Sequence, residues 1–76
     1  MPSDSQQLHF AEQHIAEIDE HIAAQRALAI ELRAKGEDAT ESEKLLHNLL
    51  ESQVLAVTHR RLMLDRIHGE PQREKA

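Results

Sequence analysis

Six histidines are the residues of this chain best suited to bind a metal or exchange a proton. They are His9, His14, His21, His47, His59 and His68. A zinc or nickel site needs three or four nitrogen or oxygen ligands that converge on the ion, and ligands on one helix need a spacing of three or four residues. No two of these histidines have that spacing. We therefore predict no metal site and no cofactor, with a histidine-based metal- or pH-responsive protein as an alternative interpretation.

Residues that could act as nucleophiles are few. The chain has no cysteine, which excludes thiol catalysis and disulfides. Ser42 lies inside a capping sequence, and Ser52 and Thr58 lie within an apolar helical pattern with no recognisable arrangement of a base and a group that orients it. Gly36 and Gly69 are isolated, so no phosphate-binding glycine loop is present. We predict that the protein is not an enzyme and has no catalytic residues.

The composition indicates one small all-α domain. The chain has 76 residues, 39% of them hydrophobic and only 1% aromatic, and good helix formers such as Ala, Leu, Glu, Gln and Arg dominate. Its net charge is −5, and residues 1–38 carry eight acids against three bases, which opposes nucleic-acid binding. The sequence shows neither a membrane-spanning stretch nor a signal peptide, which predicts a soluble cytoplasmic protein without membrane partners.

An apolar stripe with heptad spacing predicts the first helix, over about residues 5–35. A flexible lead over 1–4 precedes it, and the polar segment Ser3–Ser5 offers N-caps. Gly36 is expected to end the helix in the left-handed conformation. The stripe runs through Leu8, Ala11, Ile15, Ile18, Ile22, Gln25, Ala29 and Leu32.

A second stripe predicts the second helix, over about residues 41–68. The segment Thr40–Glu43 has the form of a capping box, and Gly69 and Pro71 are expected to end the helix before a tail over 69–76. The stripe runs through Leu46, Leu49, Gln53, Ala56, Arg60, Met63 and Ile67, widened by Leu45, Leu50, Val57 and Leu64.

The short connection between the helices predicts an antiparallel two-helix hairpin over residues 5–68. In that pairing, acids of the first helix such as Glu12 and Asp19 lie at the level of Arg60, Arg61 and Arg66 in the second. Exposed ion pairs of this kind contribute under about 1 kcal/mol each, so they bias the orientation more than they hold the fold.

The apolar surface of each helix is wider than one seam requires, which predicts a homodimer that forms a four-helix bundle. A marginally stable monomer is the alternative, and the sequence leaves open whether the helices pair within one chain or between chains. The residues expected in the core or dimer interface are Ile15, Ile18, Ile22, Leu32, Leu45, Leu49 and Met63.

The function that these patterns favour is a protein–protein interaction or regulatory module. It would dock an unidentified protein by laying one helix against another. A small regulator that binds RNA through the basic cluster His59–Arg61 is a further alternative, although the chain lacks the aromatic residues that stack on bases. The residues expected to contact a partner are Phe10, Leu28, Leu55, Leu62, Arg60 and Arg61.

Several segments resemble a group of small bacterial helical-hairpin proteins of unassigned function. The likeness spans residues 8–67 and implies a small soluble bacterial protein, with no activity, cofactor or partner attached. The chain departs from the pattern at Asp38–Thr40 and at Ala56, where a further histidine is expected. By architecture alone, the expected dimer is similar to the plasmid-copy-number regulator Rop, which binds RNA. The segments that carry the resemblance are His14–Glu17, His21–Arg26, Gly36–Thr40, Glu43–Leu46 and His59–Arg60.

Overall fold

The computed structural model describes residues 3–75, with side chains described for residues 3–68. This part of the chain forms two α-helices, α1 over Asp4–Ala34 and α2 over Thr40–Lys75, and contains no strand. The two helices pack against each other along their length as an antiparallel hairpin. The prediction of an all-α helical hairpin is therefore confirmed for the single chain.

Helix α1 begins with a reciprocal cap, because its first amides have no partner within the helix. Ser3 is the N-cap residue, and its hydroxyl accepts a hydrogen bond from the backbone N–H of Gln6 at 3.2 Å. The Gln6 side chain accepts in return from the Ser3 N–H at 3.0 Å. The expected lead over residues 1–4 thus contributes the cap and the first helical residue, Asp4. Residues 1 and 2 lie outside the described part.

Helix α1 ends at a left-handed glycine, as its sequence predicted. Gly36 has a φ of 72° and donates its N–H to the carbonyl of Arg33, while Glu37 donates to the carbonyl of Leu32 at 2.8 Å. This pair of bonds is the Schellman motif, which satisfies carbonyls that the helix end leaves free. A Cβ built on Gly36 would meet no atom within 4 Å. Glycine is therefore favoured at position 36 because of its backbone conformation, and not because a neighbouring atom leaves no room for a side chain.

We expect Gly36→Ala to lower the free energy of unfolding by about 1 kcal/mol, because an L-residue in the left-handed region carries that strain. Gly36→Asn should cost less, since asparagine tolerates this conformation. Chemical denaturation of the three proteins at one fixed concentration measures both effects. Equal losses for alanine and asparagine would contradict the conformational explanation.

Helix α2 begins in a different way from the predicted capping box. The Thr40 hydroxyl does not cap the third amide of the helix; it donates to Asp38 Oδ1 at 2.6 Å, and the Thr40 N–H donates to the same oxygen at 3.0 Å. Glu43 does not reach back, because its carboxylate forms an ion pair with Arg33 of α1. The Asp38 carboxylate is the better acceptor, since it is charged and lies near the positive end of the helix dipole.

The hydrogen bonds from the Thr40 hydroxyl and then from the Thr40 N–H lower the pKa of Asp38 below its ordinary value of 3.8. A lowered pKa means that the folded chain binds this proton less readily than the unfolded chain. The contribution of Asp38 to stability is therefore complete well above pH 3.8 and is lost as the pH falls below 3.8 through the folded pKa.

We expect Asp38→Ala to lower the thermal midpoint at neutral pH, because the turn loses its acceptor. The gap between the variant and the parent should then narrow as the pH falls from 5 toward 2.5, which circular dichroism melts can follow. Glu37→Ala is the matched control, since it removes a carboxylate from the same loop and leaves the Asp38–Thr40 turn intact. A gap that stays constant across this pH range would contradict the assigned role of the charge.

Helix α2 extends to Lys75, beyond the end that Gly69 and Pro71 predicted near His68. A glycine costs a helix about 1 kcal/mol and a proline beyond the first turn costs about 3 kcal/mol, which is why the sequence predicted an end here, but the backbone of α2 continues through both residues. The side chains of residues 69–76 lie outside the described part, and so does Ala76 altogether. The predicted end of the helix near His68 is therefore wrong for the backbone, which stays helical to Lys75.

The apolar stripes of the two helices form the seam between them. Each predicted stripe position in residues 8–67 is buried or half-buried, including the polar Gln25, Gln53 and Arg60. Leu50 and Leu64 are half-buried beside the stripe, whereas Leu45 and Val57 are exposed. No side chain of residues 3–68 is completely removed from solvent. The most buried hydrophobic residues are Ile18, Ile22, Ala29, Ala39 and Met63.

Candidate functional site

The two flanks of the seam differ in chemistry. One flank carries polar links between the helices, and we call it the bridged flank. The other flank, the histidine–leucine face, has exposed apolar and imidazole side chains from both helices, and polar links occur on it only at the open end, where Arg66 Nη2 lies 3.7 Å from Asp4 Oδ1 and 3.5 Å from Gln7 Oε1 among the described residues. This face is defined by Phe10, His14, Glu17, His21, Ala24 and Leu28 of α1 and by Leu45, Asn48, Ser52, Leu55, His59 and Leu62 of α2.

The bridged flank fixes the register of the helices. Arg60 Nη2 lies 3.2 Å from Glu12 Oε2, and Gln53 Nε2 donates to Asp19 Oδ1 at 2.6 Å. Near the loop, Arg33 pairs with Glu43. The α1 members of these links recur at multiples of seven residues, so they lie on one stripe. The expected pairing of the first helix's acids with the basic end of the second is confirmed at Glu12 and Arg60.

The polar residues Gln53 and Arg60 therefore occupy positions in the seam and form links between the two helices from there. Such residues lower stability relative to an apolar side chain but restrict the ways in which helices can pair. Arg60 was expected to contact a partner, and the structure instead holds its guanidinium against Glu12, half-buried. Arg61 is exposed and points away from the seam.

We expect the double substitution Gln53→Leu and Arg60→Leu to raise the free energy of unfolding by about 1 kcal/mol, through added apolar burial. Loss of the links should at the same time broaden the distribution of associated species in sedimentation velocity, because register is less restricted. Arg61→Leu is the matched control, because it adds similar apolar bulk outside the seam. It should change neither the free energy of unfolding nor the distribution of associated species. A double variant that is less stable than the parent would show that the links hold the fold.

On the histidine–leucine face, two open grooves follow each other along the seam. The first groove has a volume of about 330 Å³. It is lined by residues of both helices, which are His14, Glu17, Ile18 and His21 of α1 and Leu49 and Ser52 of α2. The second brings Leu28 and Leu45 together beside Asn48. Both helices therefore contribute to one continuous surface along the hairpin.

Four of the predicted partner-contact residues lie on this face. Phe10, Leu28, Leu55 and Leu62 are all exposed, and Leu55 is the most exposed of them at 71%. Leu45, predicted in the core or dimer interface, is exposed on the same face. The spacing of seven residues from Asn48 to Leu55 to Leu62 carries the signal that aligns them with this face.

The histidines do not converge. His14 and His21 line one groove but are two helical turns apart, which separates them by about 10 Å along the axis. Glu17 lies between them at spacings of three and four residues, so it can approach one or the other. Among the described residues, no group of three or more His, Asp or Glu side chains is placed to hold a metal ion. His47 is exposed elsewhere, with Nε2 3.4 Å from Glu51 Oε1.

The basic residues of α2 are also largely engaged. Arg66 Nη2 lies 3.7 Å from Asp4 Oδ1 and 3.5 Å from Gln7 Oε1, and Arg60 is held by Glu12. Through these contacts, the cationic side chains of α2 are paired with carboxylate and amide groups of α1. A continuous cationic stripe of the kind that follows a phosphate backbone is not formed by residues 3–68.

Comparison of the chain with protein-family models, with curated proteins and with solved structures finds no match in any of the three. The resemblance to bacterial hairpin proteins and the architectural likeness to Rop therefore stay predictions. In the described part of the chain, neither helix has an apolar stretch long enough to cross a lipid bilayer.

Proposed function

We propose that this chain is a non-enzymatic interaction module that works by helix-on-helix association, and that its histidine–leucine face is the surface that associates. One observation carries the proposal. Of the eight large apolar side chains that are exposed among residues 3–68, five lie on this face and three lie elsewhere. The five are Phe10, Leu28, Leu45, Leu55 and Leu62.

The partner that we propose first is a second copy of the chain, which would complete a four-helix bundle. The face runs for about 27 Å along the helices, from Phe10 to Leu28, and is about 20 Å wide, because it spans two helices. That footprint of about 540 Å² lies near the roughly 600 Å² that each partner buries in the smaller specific interfaces. A copy seated there would cover the open side of the seam and bring Leu45 into the interface for which its sequence position predicted it.

A second candidate, RNA binding as in Rop-like proteins, is less well supported by the contacts. Arg60 is paired with Glu12 and Arg66 with Asp4, so both cations already face acidic side chains of α1. A metal-responsive protein would need ligands that meet, and His14 and His21 are too far apart on α1. Salt-dependent binding of RNA that is lost in Arg61→Ala would support RNA binding instead of helix-on-helix association.

The test uses two neighbouring, highly exposed residues that lie about 100° apart around α2. Leu55→Glu puts a carboxylate on the histidine–leucine face, and Val54→Glu puts one on the surface away from it. In sedimentation equilibrium at micromolar concentration, we expect the parent and Val54→Glu to have the mass of two chains. We expect Leu55→Glu to dissociate at least about 100-fold more readily, since a buried unpaired carboxylate costs several kcal/mol.

Both variants keep the seam residues, and circular dichroism at high concentration should show the same helix content for each. A parent that sediments as a single chain at micromolar concentration would overturn the proposed dimer. Equal weakening by Leu55→Glu and Val54→Glu would show that a surface other than the histidine–leucine face associates.

A further inference from the structure

We propose that the two copies dock through the histidine–leucine face with their loops at opposite ends, so that Glu17 of each copy lies against His21 of the other. This inference rests on the proposed function and specifies its geometry. The occupant of the face is a second copy of this chain, and the argument comes from the positions of apolar, charged and bulky residues along the face.

Because α1 and α2 are antiparallel, each residue of α1 lies at the same height along the hairpin as one residue of α2, and we say that two such residues share a level. Arg60 lies opposite Glu12. Phe10 precedes Glu12 by two residues and Leu62 follows Arg60 by two, so Phe10 and Leu62 share a level near the open end. Leu28 and Leu45 share a level near the loop, where they line one groove. The face therefore has an apolar cluster toward each end, separated by about 27 Å along the axis.

We place a two-fold axis in the plane of the interface, perpendicular to the helices, at the level of Asp19, which is midway between these clusters. This axis brings each apolar cluster of one copy onto the opposite cluster of the other copy. It seats Phe10 of α1 on the partner's Leu28, and Leu62 of α2 on the partner's Leu45. The same axis brings Glu17 of each copy to the level of the other's His21, because the two residues are equally distant from it. Each carboxylate thus gains an imidazole from the second copy as well as the one at i+4 on its own helix.

The bulky side chains also meet small ones in this arrangement. His14 and His59 lie at one level, and the axis carries that level onto the one of Ala24 and Asn48. Imidazole rings of one copy therefore face the smaller side chains of the other at two symmetric places. Alternation of large and small residues across an interface is what lets two packed surfaces interdigitate.

The arrangement with both loops at one end is less favourable. It lays α1 over α2 of the other copy at equal levels, which puts the Glu17 carboxylate against Leu55 and His14 against His59. A carboxylate covered by an apolar side chain loses hydration without gaining a partner. It also brings two acidic loop ends together, since residues 31–44 carry five acids against three bases. With the loops apart, each loop end lies beside an open end whose described charged residues are Asp4 and Asp65 together with Arg61 and Arg66.

The chain has no cysteine, so single cysteines report the orientation directly. A nitroxide label on Phe10→Cys should give a separation of about 27 Å or more between the two copies, because the labels are offset along the axis. Mixing Phe10→Cys chains with Leu28→Cys chains under a thiol redox buffer should give a disulfide-linked heterodimer. Mixing Phe10→Cys chains with Leu62→Cys chains should not, and Val54→Cys chains are the control for random collision.

Sedimentation of each labelled or substituted chain separates the two proposals. Two chains per particle with a short label separation, or with linkage of Phe10→Cys to Leu62→Cys in place of Leu28→Cys, would overturn the orientation and leave the dimer intact. One chain per particle for the parent protein would overturn the proposed function and the orientation with it. Two chains with the long separation and the 10-to-28 linkage would support both.

Discussion

The incomplete cover that two helices give to their shared seam is the constraint on which the rest of the molecule depends. A third or fourth helix is needed to enclose an apolar stripe from every side, and this hairpin has only α1 and α2. Even Ile22 and Met63, the least exposed hydrophobic residues that the structure describes, retain about one-twentieth of their exposure. Apolar burial is the main favourable term in folding, so the open side of the seam limits the stability of the single chain.

The two flanks of the seam respond to this constraint differently. On the bridged flank, the links from Arg60 to Glu12 and from Gln53 to Asp19 occupy the edge of the seam with groups that remain partly hydrated. A partner docking there would have to remove water from these groups, which is unfavourable. The histidine–leucine face has no such links between Phe10 and Leu28. In the proposed dimer, these polar residues would direct association to the other side of the seam, while each contributes little to stability by itself.

Periodicity explains why so much of the fold could be predicted from the sequence. A helix repeats every 3.6 residues, so the spacing of Leu8 through Leu32 identifies the seam of α1 without knowledge of its partner. Gly36 identifies the turn because few other residues adopt a positive φ. The start of α2 was harder: Asp38 and Thr40 both carry cap-forming oxygens, and three-dimensional geometry decides which one accepts. The same holds for Leu55, whose face is defined only once Arg60 and Glu12 fix the helices' relative rotation and register.

In the proposed dimer, folding and association are coupled by mass action. Each copy supplies the cover that the other lacks, so the free energy of unfolding depends on the total concentration of chains. Histidines suit a face that is exposed in one state and covered in the other. An imidazole offers an apolar ring for packing and nitrogen atoms that can pair with a carboxylate such as Glu17 or with water. Larger apolar residues in place of His14, His21 and His59 would strengthen the pair but leave the separated chain with a wider exposed patch, which favours unspecific association. In the proposed dimer, the mixture of leucine and histidine on this face would therefore balance affinity for a second copy against aggregation of the single chain.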